Sequence, residues 1–417
     1  MLDVNLIRKE PETVKKGIAA KGADPKLVDR FLKLDEEWRA LTTEIDGLRN
    51  EQKKLGAEKK VKEASKIKEK IKAKESRLAE AEKEREAVLL QIPNVPLPSV
   101  PVGKSEADNK MLREIGNKPK FSFPAKDYLT LAHNLDLIDT ERAAKVSGSR
   151  FGYLKNEAVL LEFALVDLAI KTLVKEKFIP IVPPVLVRPE VMHGMGKVKF
   201  VEDKDAFHIP EDNLYLVGSS EHSVGPYHMD EVLDQGELPK RYAAFSTCFR
   251  REAGSYGKDT KGIIRVHQFD KVEMMAFVRP EESEKEHKFL LSLQEKMMQE
   301  LELPYRVVEV ASGEMGFADA RQYDIETWLP GEGKYRETHS ASNTTDFQAR
   351  GINVKYRRRD GLPAGQAGKT EFLHMLNATA FAIGRTLIAI FENYQTLDGK
   401  IKIPKVLQKY VGQESIS

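Results

Sequence analysis

The sequence predicts an α+β protein, in which an N-terminal antiparallel helical arm precedes a domain of mixed helices and strands. Three observations indicate this class: heptad-spaced apolar residues up to about residue 92, a cluster of prolines directly after them, and strand patterns mixed with helical ones beyond about residue 121. The domains expected from this are a helical arm over residues 1–100, a linker over 101–120 and a second domain over 121–417.

The arm is predicted from two apolar series. The first covers residues 27–55 in alternating steps of four and three, and the second covers residues 67–92, with Lys74 and Arg85 at its weak positions. Such spacing is typical of helices that bury a stripe against each other, so two series indicate one antiparallel coiled-coil hairpin. A dimerisation coiled coil is the alternative that the spacing alone leaves open.

The predicted tip of the hairpin is basic. Residues 53–77 contain eleven lysines or arginines and four acids, whereas the whole chain has 67 basic and 65 acidic residues and a net charge of +2. A local excess of this kind suits phosphate contacts that do not read bases, and a solvated lysine-rich face is the alternative. The candidate phosphate-contacting side chains are Lys53, Lys54, Lys59, Lys60, Lys62, Lys66 and Lys68.

Cysteine usage and hydropathy limit the compartment. Cys248 is the only cysteine, which excludes intrachain disulfides and a zinc site built on several thiolates. The first residues carry Asp3, Glu10 and Glu12 rather than an apolar signal segment, and no stretch approaches the roughly 20 apolar residues of a membrane span. We therefore expect a soluble cytoplasmic protein with no membrane partner.

The most informative segment is residues 245–273. It begins Phe-Ser-Thr-Cys-Phe-Arg-Arg-Glu and ends Arg-Val-His-Gln-Phe-Asp-Lys-Val-Glu, with a glycine-containing loop between. Strands are predicted near residues 242–250 and over 263–278, and a helix is predicted over 157–177. Because side chains alternate along a strand, one face of the second strand is expected to carry Arg265, His267, Phe269, Lys271 and Glu273.

This segment resembles motif 2 of the class II aminoacyl-tRNA synthetases, in the form found in the seryl-tRNA synthetase family. The resemblance extends to residues 146–154, to a motif 1-like segment at 180–185 and to a motif 3-like segment at 377–385. With the arm, it covers nearly the whole chain. It implies that the second domain is an antiparallel sheet flanked by helices, and that two copies form a homodimer through the motif 1 region.

The resemblance also implies an ATP site with Mg²⁺. Arg250 and Arg385 are implied as the catalytic cations at the α-phosphate, and hard oxygens from Glu337 and Ser340 as the Mg²⁺ ligands. The family's more common apolar-Ser pair between the last two is here Thr338-His339. The residues implied for ATP are Arg250, Arg251, Glu252, Val266, Phe269, Glu337, Thr338, His339, Ser340 and Arg385.

For the amino acid, the resemblance implies a serine site. Ser219 stands where the family has threonine, which keeps the hydroxyl and loses a methyl group. The basic tip is implied to contact serine tRNA, and whether selenocysteine tRNA is also a substrate stays open at this point. The residues implied for serine are Ser219, Ser220, Glu221, Glu273 and Thr379.

The expected function is therefore a serine–tRNA ligase, which activates serine with ATP to seryl-adenylate and transfers it to serine tRNA. One alternative is a synthetase-like paralogue that loads a small amino acid onto a carrier protein, although such relatives usually lack the arm. Another is a non-catalytic RNA-binding or regulatory protein on the same scaffold. The residues that argue against it are Arg250, Glu252, Phe269, Glu273, Glu337 and Arg385. A biased segment over residues 357–369 is expected to be a flexible surface insertion.

Overall fold

The computed structural model describes residues 1–253, 257, 259, 261–359 and 368–417. Residues 254–256, 258 and 260 of the motif 2-like loop, and 360–367 of the expected insertion, lie outside the described residues. Contacts divide the chain into two compact units, Met1–Val95 and Pro96–Ser417. Within the described helices, none is long and apolar enough to cross a membrane.

The first unit is built from helices. They are α1 (Val4–Lys9), α2 (Pro11–Ala20), α3 (Lys26–Ala57) and α4 (Val61–Leu89). The long helices α3 and α4 pack against each other within one chain, and Ile45 is buried against Ile67 and Ile71. The predicted intramolecular hairpin is thus confirmed, and Ile92 lies just beyond the end of α4.

A buried carboxylate that the heptad pattern did not predict lies in this unit. Asp35 is fully buried and accepts hydrogen bonds from Arg8 Nε and Arg85 Nε, both at 2.8 Å, and from Arg39 Nε at 3.1 Å. Burial raises the pKa of Asp35, but the hydrogen bonds from Arg8 and Arg85 outweigh it and the net shift is downward. Arg85, one of the weak seam positions, is thus satisfied inside the hairpin and also stacks on Trp38.

The second unit combines helices with a large sheet. Its helices are α5 (Tyr128–Asn134), α6 (Thr140–Ser147), α7 (Glu157–Lys175), α8 (Pro189–Gly194), α9 (Val198–Glu202), α10 (Glu221–Val224), α11 (Ser283–Glu300), α12 (Phe347–Gly351), α13 (Ile383–Asn393) and α14 (Lys405–Val411). Its strands are β1 (Lys110–Ile115), β2 (Ile138–Asp139), β3 (Tyr153–Leu154), β4 (Ile179–Ile181), β5 (Leu186–Val187), β6 (His208–Ile209), β7 (Leu214–Leu216), β8 (Val232–Asp234), β9 (Lys240–Phe249), β10 (Gln268–Val278), β11 (Tyr305–Glu309), β12 (Arg321–Leu329), β13 (Lys334–Asn343), β14 (Lys355–Arg358), β15 (Lys369–Phe372), β16 (His374–Ala382), β17 (Ile401–Lys402) and β18 (Ser415–Ile416).

The large sheet has eight strands in the order β1-β11-β12-β13-β16-β10-β9-β4. Every neighbouring pair is antiparallel except β4 with β9. The predicted α+β class, with an antiparallel sheet flanked by helices, is confirmed. Residues 101–120, expected as a linker, contain β1, which pairs with β11 at one edge of this sheet.

Helices α7, α11 and α13 cover one face of the large sheet. Leu165 of α7, Met297 of α11 and Leu387 of α13 are buried in one core together with Phe381 and Ala341 from the strands. This burial is the main stabilising term for the layer, at about 25 cal/mol per Å² of apolar surface. The polar residues described below alternate with these core residues, so they lie on the opposite face.

The second motif 2-like strand begins later than predicted. The prediction started at residue 263, whereas β10 starts at Gln268. The Ile263 N–H donates to Tyr128 Oη at 3.0 Å, and the His267 N–H donates to the Arg150 carbonyl at 2.9 Å, so these groups bond outside the strand ladder. Of the five side chains expected on one strand face, Arg265 and His267 therefore precede the strand.

Candidate active site

A β-bulge in β13 sets the direction of two candidate residues. His339 and Glu337 pair with successive residues of β12, so Thr338 between them has no partner in that ladder. On a regular strand, residues three apart such as Glu337 and Ser340 point to opposite faces. The extra residue reverses this alternation, and both side chains line the same cavity.

Strand β16 carries a second bulge beside the first. Phe381 and Thr379 pair with successive residues of β10, which leaves Ala380 between them without a partner there. Phe381 consequently turns into the helix-covered core, while Thr379 and Ala382 both face the cavity. Two neighbouring strands thus change their side-chain alternation at the same place.

The cavity in front of these bulges, called here the first cavity, has a volume of about 230 Å³. It is walled by residues of β10, β13 and β16, by residues that follow β9 or precede β10, and by the first turn of α13. The sequence-predicted residues that line it are Arg250, Glu252, Val266, Phe269, Glu337, Thr338, Ser340, Thr379 and Arg385.

The cations of the first cavity are held by specific partners. Arg250 Nε donates to the Gly218 carbonyl at 3.0 Å, and its guanidinium carbon lies 5.3 Å from the centre of the Phe269 ring. Arg385 Nη1 donates to the Glu337 carbonyl at 2.9 Å and lies 3.2 Å from Glu337 Oε2. Burial raises the pKa of Glu337, but the charge of Arg385 outweighs it and the net shift is downward.

Two residues implied for ATP do not line the first cavity. Arg251 Nε donates to the Ala206 carbonyl at 3.2 Å, and its guanidinium stacks on Phe207. His339 is buried on the other face of β13, with Nδ1 2.8 Å from Thr338 Oγ1, and burial lowers its pKa to about 4. The structure therefore separates these two side chains from the others implied for ATP.

A second cavity, of about 360 Å³, adjoins the first. Ser219, Glu221 and Glu273 line it, and Arg250 and Lys271 line both cavities. Thr379 borders it through its hydroxyl, which donates to Glu273 Oε2 at 3.3 Å. The Ser220 side chain is fully buried and lines neither cavity.

The two glutamates of the second cavity lie in different electrostatic environments. Glu221 lies 3.0 Å from Lys197 Nζ and accepts a hydrogen bond from Gln348 Nε2 at 2.6 Å. Burial raises the pKa of Glu221, but Lys197 and further contacts outweigh it and lower the pKa to about 2. Burial raises the pKa of Glu273, and this effect exceeds the opposing effect of Lys271, whose Nζ lies 2.6 Å from Glu273 Oε2.

Sequence reasoning missed three charged or polar residues of the second cavity region. Strand alternation placed Lys271 on the same face as Glu273, but no role in the site was predicted for it. Lys197 follows α8 and Gln348 lies on α12, and no local pattern connects either residue with Glu221. Such contacts between distant segments are visible only in the folded chain.

The comparisons with known proteins agree over both units. Residues 1–96 match the family model of the seryl-tRNA synthetase N-terminal domain, and residues 205–394 match that of the tRNA synthetase class II core domain (G, H, P, S and T). A serine–tRNA ligase of Acidothermus cellulolyticus is 46% identical over 425 residues, which cover 99% of this chain and 99% of that protein. The chain belongs to the seryl-tRNA synthetase family.

Further members of the family support the assignment. A serine–tRNA ligase of Dictyoglomus turgidum is 44% identical over 428 residues, covering 100% of this chain and 99% of that protein. The crystal structure of seryl-tRNA synthetase from Pyrococcus horikoshii complexed with ATP superposes with a TM-score of 0.93 at 40% identity, covering 100% of this chain and 99% of that chain. The family resemblance predicted from the sequence is confirmed.

Proposed function

We propose that this chain activates serine with ATP to form seryl-adenylate and then transfers the seryl group to serine tRNA. The observation that carries the proposal is the wall shared by the two cavities, to which Arg250, Lys271 and Ser340 belong. A phosphate bound in the first cavity lies directly beside a small polar ligand bound in the second. This arrangement suits the joining of a carboxylate to a phosphate.

In the first step, a carboxylate oxygen of serine attacks the α-phosphorus of ATP. The bond from this phosphorus to the oxygen that bridges to the β-phosphate breaks, and pyrophosphate leaves. Displacement at phosphorus needs alignment and charge neutralisation more than proton transfer, and Arg250 and Arg385 supply both. Phe269 offers its ring to the adenine, with Glu252 and Val266 nearby on the same wall.

In the second step, a hydroxyl of the terminal ribose of the tRNA attacks the carbonyl carbon of the seryl-adenylate. The bond from this carbon to the phosphate oxygen breaks, AMP leaves with that oxygen, the hydroxyl proton passes to the departing phosphate, and the seryl group is esterified to the tRNA. No covalent intermediate with the protein is needed, which agrees with cavities lined by charged and hydrogen-bonding groups. Cys248, the chain's single thiol, is buried in β9, and burial raises its pKa.

Glu337 and Ser340 are the residues that would hold Mg²⁺ beside the phosphates. The donor set fits this ion, because it combines a carboxylate and a hydroxyl oxygen on the same side of β13. Asp324 pairs with Ser340 across the β12–β13 ladder, and burial together with the charge of Glu337 raises its pKa well above the ordinary value. Within the described ranges, no group of three or more acidic, histidine or cysteine side chains forms a preorganised metal site. When bound, Mg²⁺ supplies positive charge to the phosphate oxygens.

ATP–pyrophosphate exchange tests the proposed activity. We expect exchange that depends on serine and is far weaker with alanine, glycine, threonine or cysteine. Alanine and glycine lack a hydrogen-bonding side chain, the cysteine thiol bonds weakly, and threonine adds a methyl group to the hydroxyl. The assay measures labelled pyrophosphate incorporated into ATP, with each amino acid in turn. Equal rates with serine and alanine would contradict the proposed substrate.

Glu221→Gln and Glu273→Gln should each weaken the binding of serine far more than the binding of ATP. A charged hydrogen bond contributes about 1.5–3 kcal/mol, so the KM for serine should rise by roughly 10- to 100-fold. The KM for ATP should change little, because neither glutamate lines the first cavity. Calorimetric titration with each ligand checks the ranking, and a larger loss for ATP would mean that the serine site is misplaced.

We assign tRNA binding to the helical arm, over residues 1–100, and catalysis to residues 121–417, with 101–120 between them. The seven candidate lysines of the tip are exposed. Two lie on α3, two in the connection between the helices and three on α4, in the order Lys53 and Lys54, Lys59 and Lys60, and Lys62, Lys66 and Lys68. The match of residues 1–96 to the family's N-terminal domain disfavours a paralogue without an arm. Because serine tRNA and ATP meet in the cytoplasm, that compartment is the proposed site of action.

We also propose that the chain acts as a homodimer. Helix α7 exposes Leu160 and Phe163, and Val182 follows β4 with 79% of its surface exposed. Apolar side chains concentrated on one element are typical of surfaces that another chain covers. Val182 belongs to the motif 1-like segment, through which the resemblance implies dimerisation, and Leu160 and Phe163 lie on the helix that precedes this segment.

Phe163→Asp should convert the dimer into monomers, since an interface cannot bury an unpaired carboxylate cheaply. Sedimentation or light scattering should then report half the molecular mass found for the unchanged chain. Leu397→Asp is a matched control at an exposed apolar residue after α13, and it should leave the mass unchanged. A Phe163→Asp protein with undiminished mass would contradict this interface.

A further inference from the structure

A buried lysine connects two residues of the second cavity. Lys271 Nζ lies 2.8 Å from Ser219 Oγ and 2.6 Å from Glu273 Oε2, and only 6% of the lysine surface is exposed. Lys271 and Glu273 are two residues apart on β10, so they share one strand face. Ser219 comes from a distant segment, two residues before the start of α10. The lysine therefore fixes the distance between a hydroxyl and a carboxylate from separate parts of the chain.

The hydrogen bonds of Ser219 determine what it can offer a ligand. A serine hydroxyl has one proton to donate and two lone pairs that accept. Ser219 Oγ accepts from Lys271 Nζ at 2.8 Å and from the Glu221 N–H at 3.2 Å, which uses both lone pairs. Towards a ligand, Ser219 can therefore only donate its proton.

Glu273 has the complementary capacity. As a carboxylate it can only accept, and it takes hydrogen bonds from Lys271 and from the Thr379 hydroxyl. Burial favours its neutral form, and the lysine charge counteracts this effect. Ser219 and Glu273 thus present one donor and one acceptor, each within a hydrogen bond of the same nitrogen.

We propose that Lys271 is a positioning residue that arranges Ser219 and Glu273 around the side-chain hydroxyl of serine. The ligand hydroxyl accepts the Ser219 proton and donates its own proton to Glu273. A methyl side chain can do neither, so alanine leaves both protein groups unpaired. The inference rests on the proposed function. In this arrangement the other glutamate, Glu221, binds the ammonium group of the ligand.

Lys271→Met tests the proposal by comparing serine with alanine. In serine-dependent ATP–pyrophosphate exchange, we expect kcat/KM for serine to fall by roughly 10- to 100-fold. The inhibition constant of alanine, measured as a competitor in the same assay, should change less than about threefold, because alanine has no hydroxyl to lose. Discrimination between the two amino acids should shrink accordingly.

Lys197→Met is the matched control, since Lys197 pairs with Glu221 at 3.0 Å. Both amino acids carry an ammonium group, so this change should raise the KM for serine and the inhibition constant of alanine by similar factors. If Lys271→Met also raised the KM for serine and the inhibition constant of alanine by similar factors, the proposal would be overturned. Lys271 would then support the cavity as a whole.

Ser219→Ala keeps the proposal testable if Lys271→Met fails to fold. It removes one oxygen and should likewise weaken serine but not alanine. In the double variant, the loss should be clearly smaller than the product of the two single losses, because the residues act on one hydroxyl. Independent losses, or an unchanged serine-to-alanine ratio, would overturn the positioning role. Absence of serine-dependent exchange in the unchanged chain would instead refute the proposed function.

Discussion

Arg250→Ala is expected to reduce serine-dependent ATP–pyrophosphate exchange by about 10²–10³-fold, the usual loss when one group that stabilises transition-state charge is removed. Arg250 lines both cavities and stacks beside Phe269, so its guanidinium is placed at the junction where the new bond forms. The loss should appear mainly in kcat, because the interaction strengthens as charge develops on the phosphate. Steady-state exchange at saturating serine and ATP measures it.

The neighbouring residue supplies a control for this prediction. Arg251 stacks on Phe207 and does not line the first cavity, so Arg251→Ala should lose far less activity than Arg250→Ala. Circular dichroism and thermal unfolding of both variants establish that the fold is retained. A folded Arg250→Ala protein with near-normal exchange would contradict the assignment of the site.

Neutralising the tip of the arm should separate the two reactions. We expect four exposed lysines, Lys53, Lys59, Lys62 and Lys66, changed together to glutamine, to leave exchange intact and to raise the KM for tRNA steeply. Substitution is a cleaner test than deletion of the tip, because removal of residues 56–71 would also delete Ile67 and Ile71 and expose Ile45. The slope of log K for tRNA binding against log salt concentration should become shallower by about 3, if each of the four lysines contacts one phosphate.

A control with the same charge change distinguishes local contact from net charge. Four exposed lysines of the same unit outside the tip are Lys9, Lys16, Lys33 and Lys83. Their joint replacement by glutamine should affect tRNA charging much less than the tip variant does. Equal effects of both sets, or unaltered charging by the tip variant, would show that the basic tip is a solvated face.

The helical arm was predictable from sequence because its spacing is repetitive. The periodicity placed the hairpin and its seam, but it could not show that Arg85 would meet a buried Asp35, since that contact joins residues 50 positions apart. The late start of β10 was missed for a similar reason. The residues before Gln268 alternate as a strand would, yet the N–H groups of Ile263 and His267 donate to Tyr128 of α5 and to the Arg150 carbonyl, which lie in distant segments.

The candidate site was predictable where a family motif covers it. Arg250, Phe269, Glu337 and Arg385 come together in one cavity, as the resemblance implied. The roles carried over for ATP and serine stay predictions until tested. The role of Lys197 could not be predicted. It lies between the short helices α8 and α9, and its contact with Glu221 depends on how these helices pack.

The paired bulges imply that the number of residues in β13 and β16 is constrained as strongly as their identity. A single-residue deletion elsewhere in either strand would shift the pairing of the adjoining stretch by one residue and turn its side chains to the other face, whereas loss of Thr338 or Ala380 itself would leave the neighbouring pairs in register. Without Thr338, for example, Glu337 and Ser340 would stand two residues apart on a regular strand and would still share one face. Insertions or deletions of one residue away from the two bulges would therefore move site residues to the core face, even where every residue type is kept.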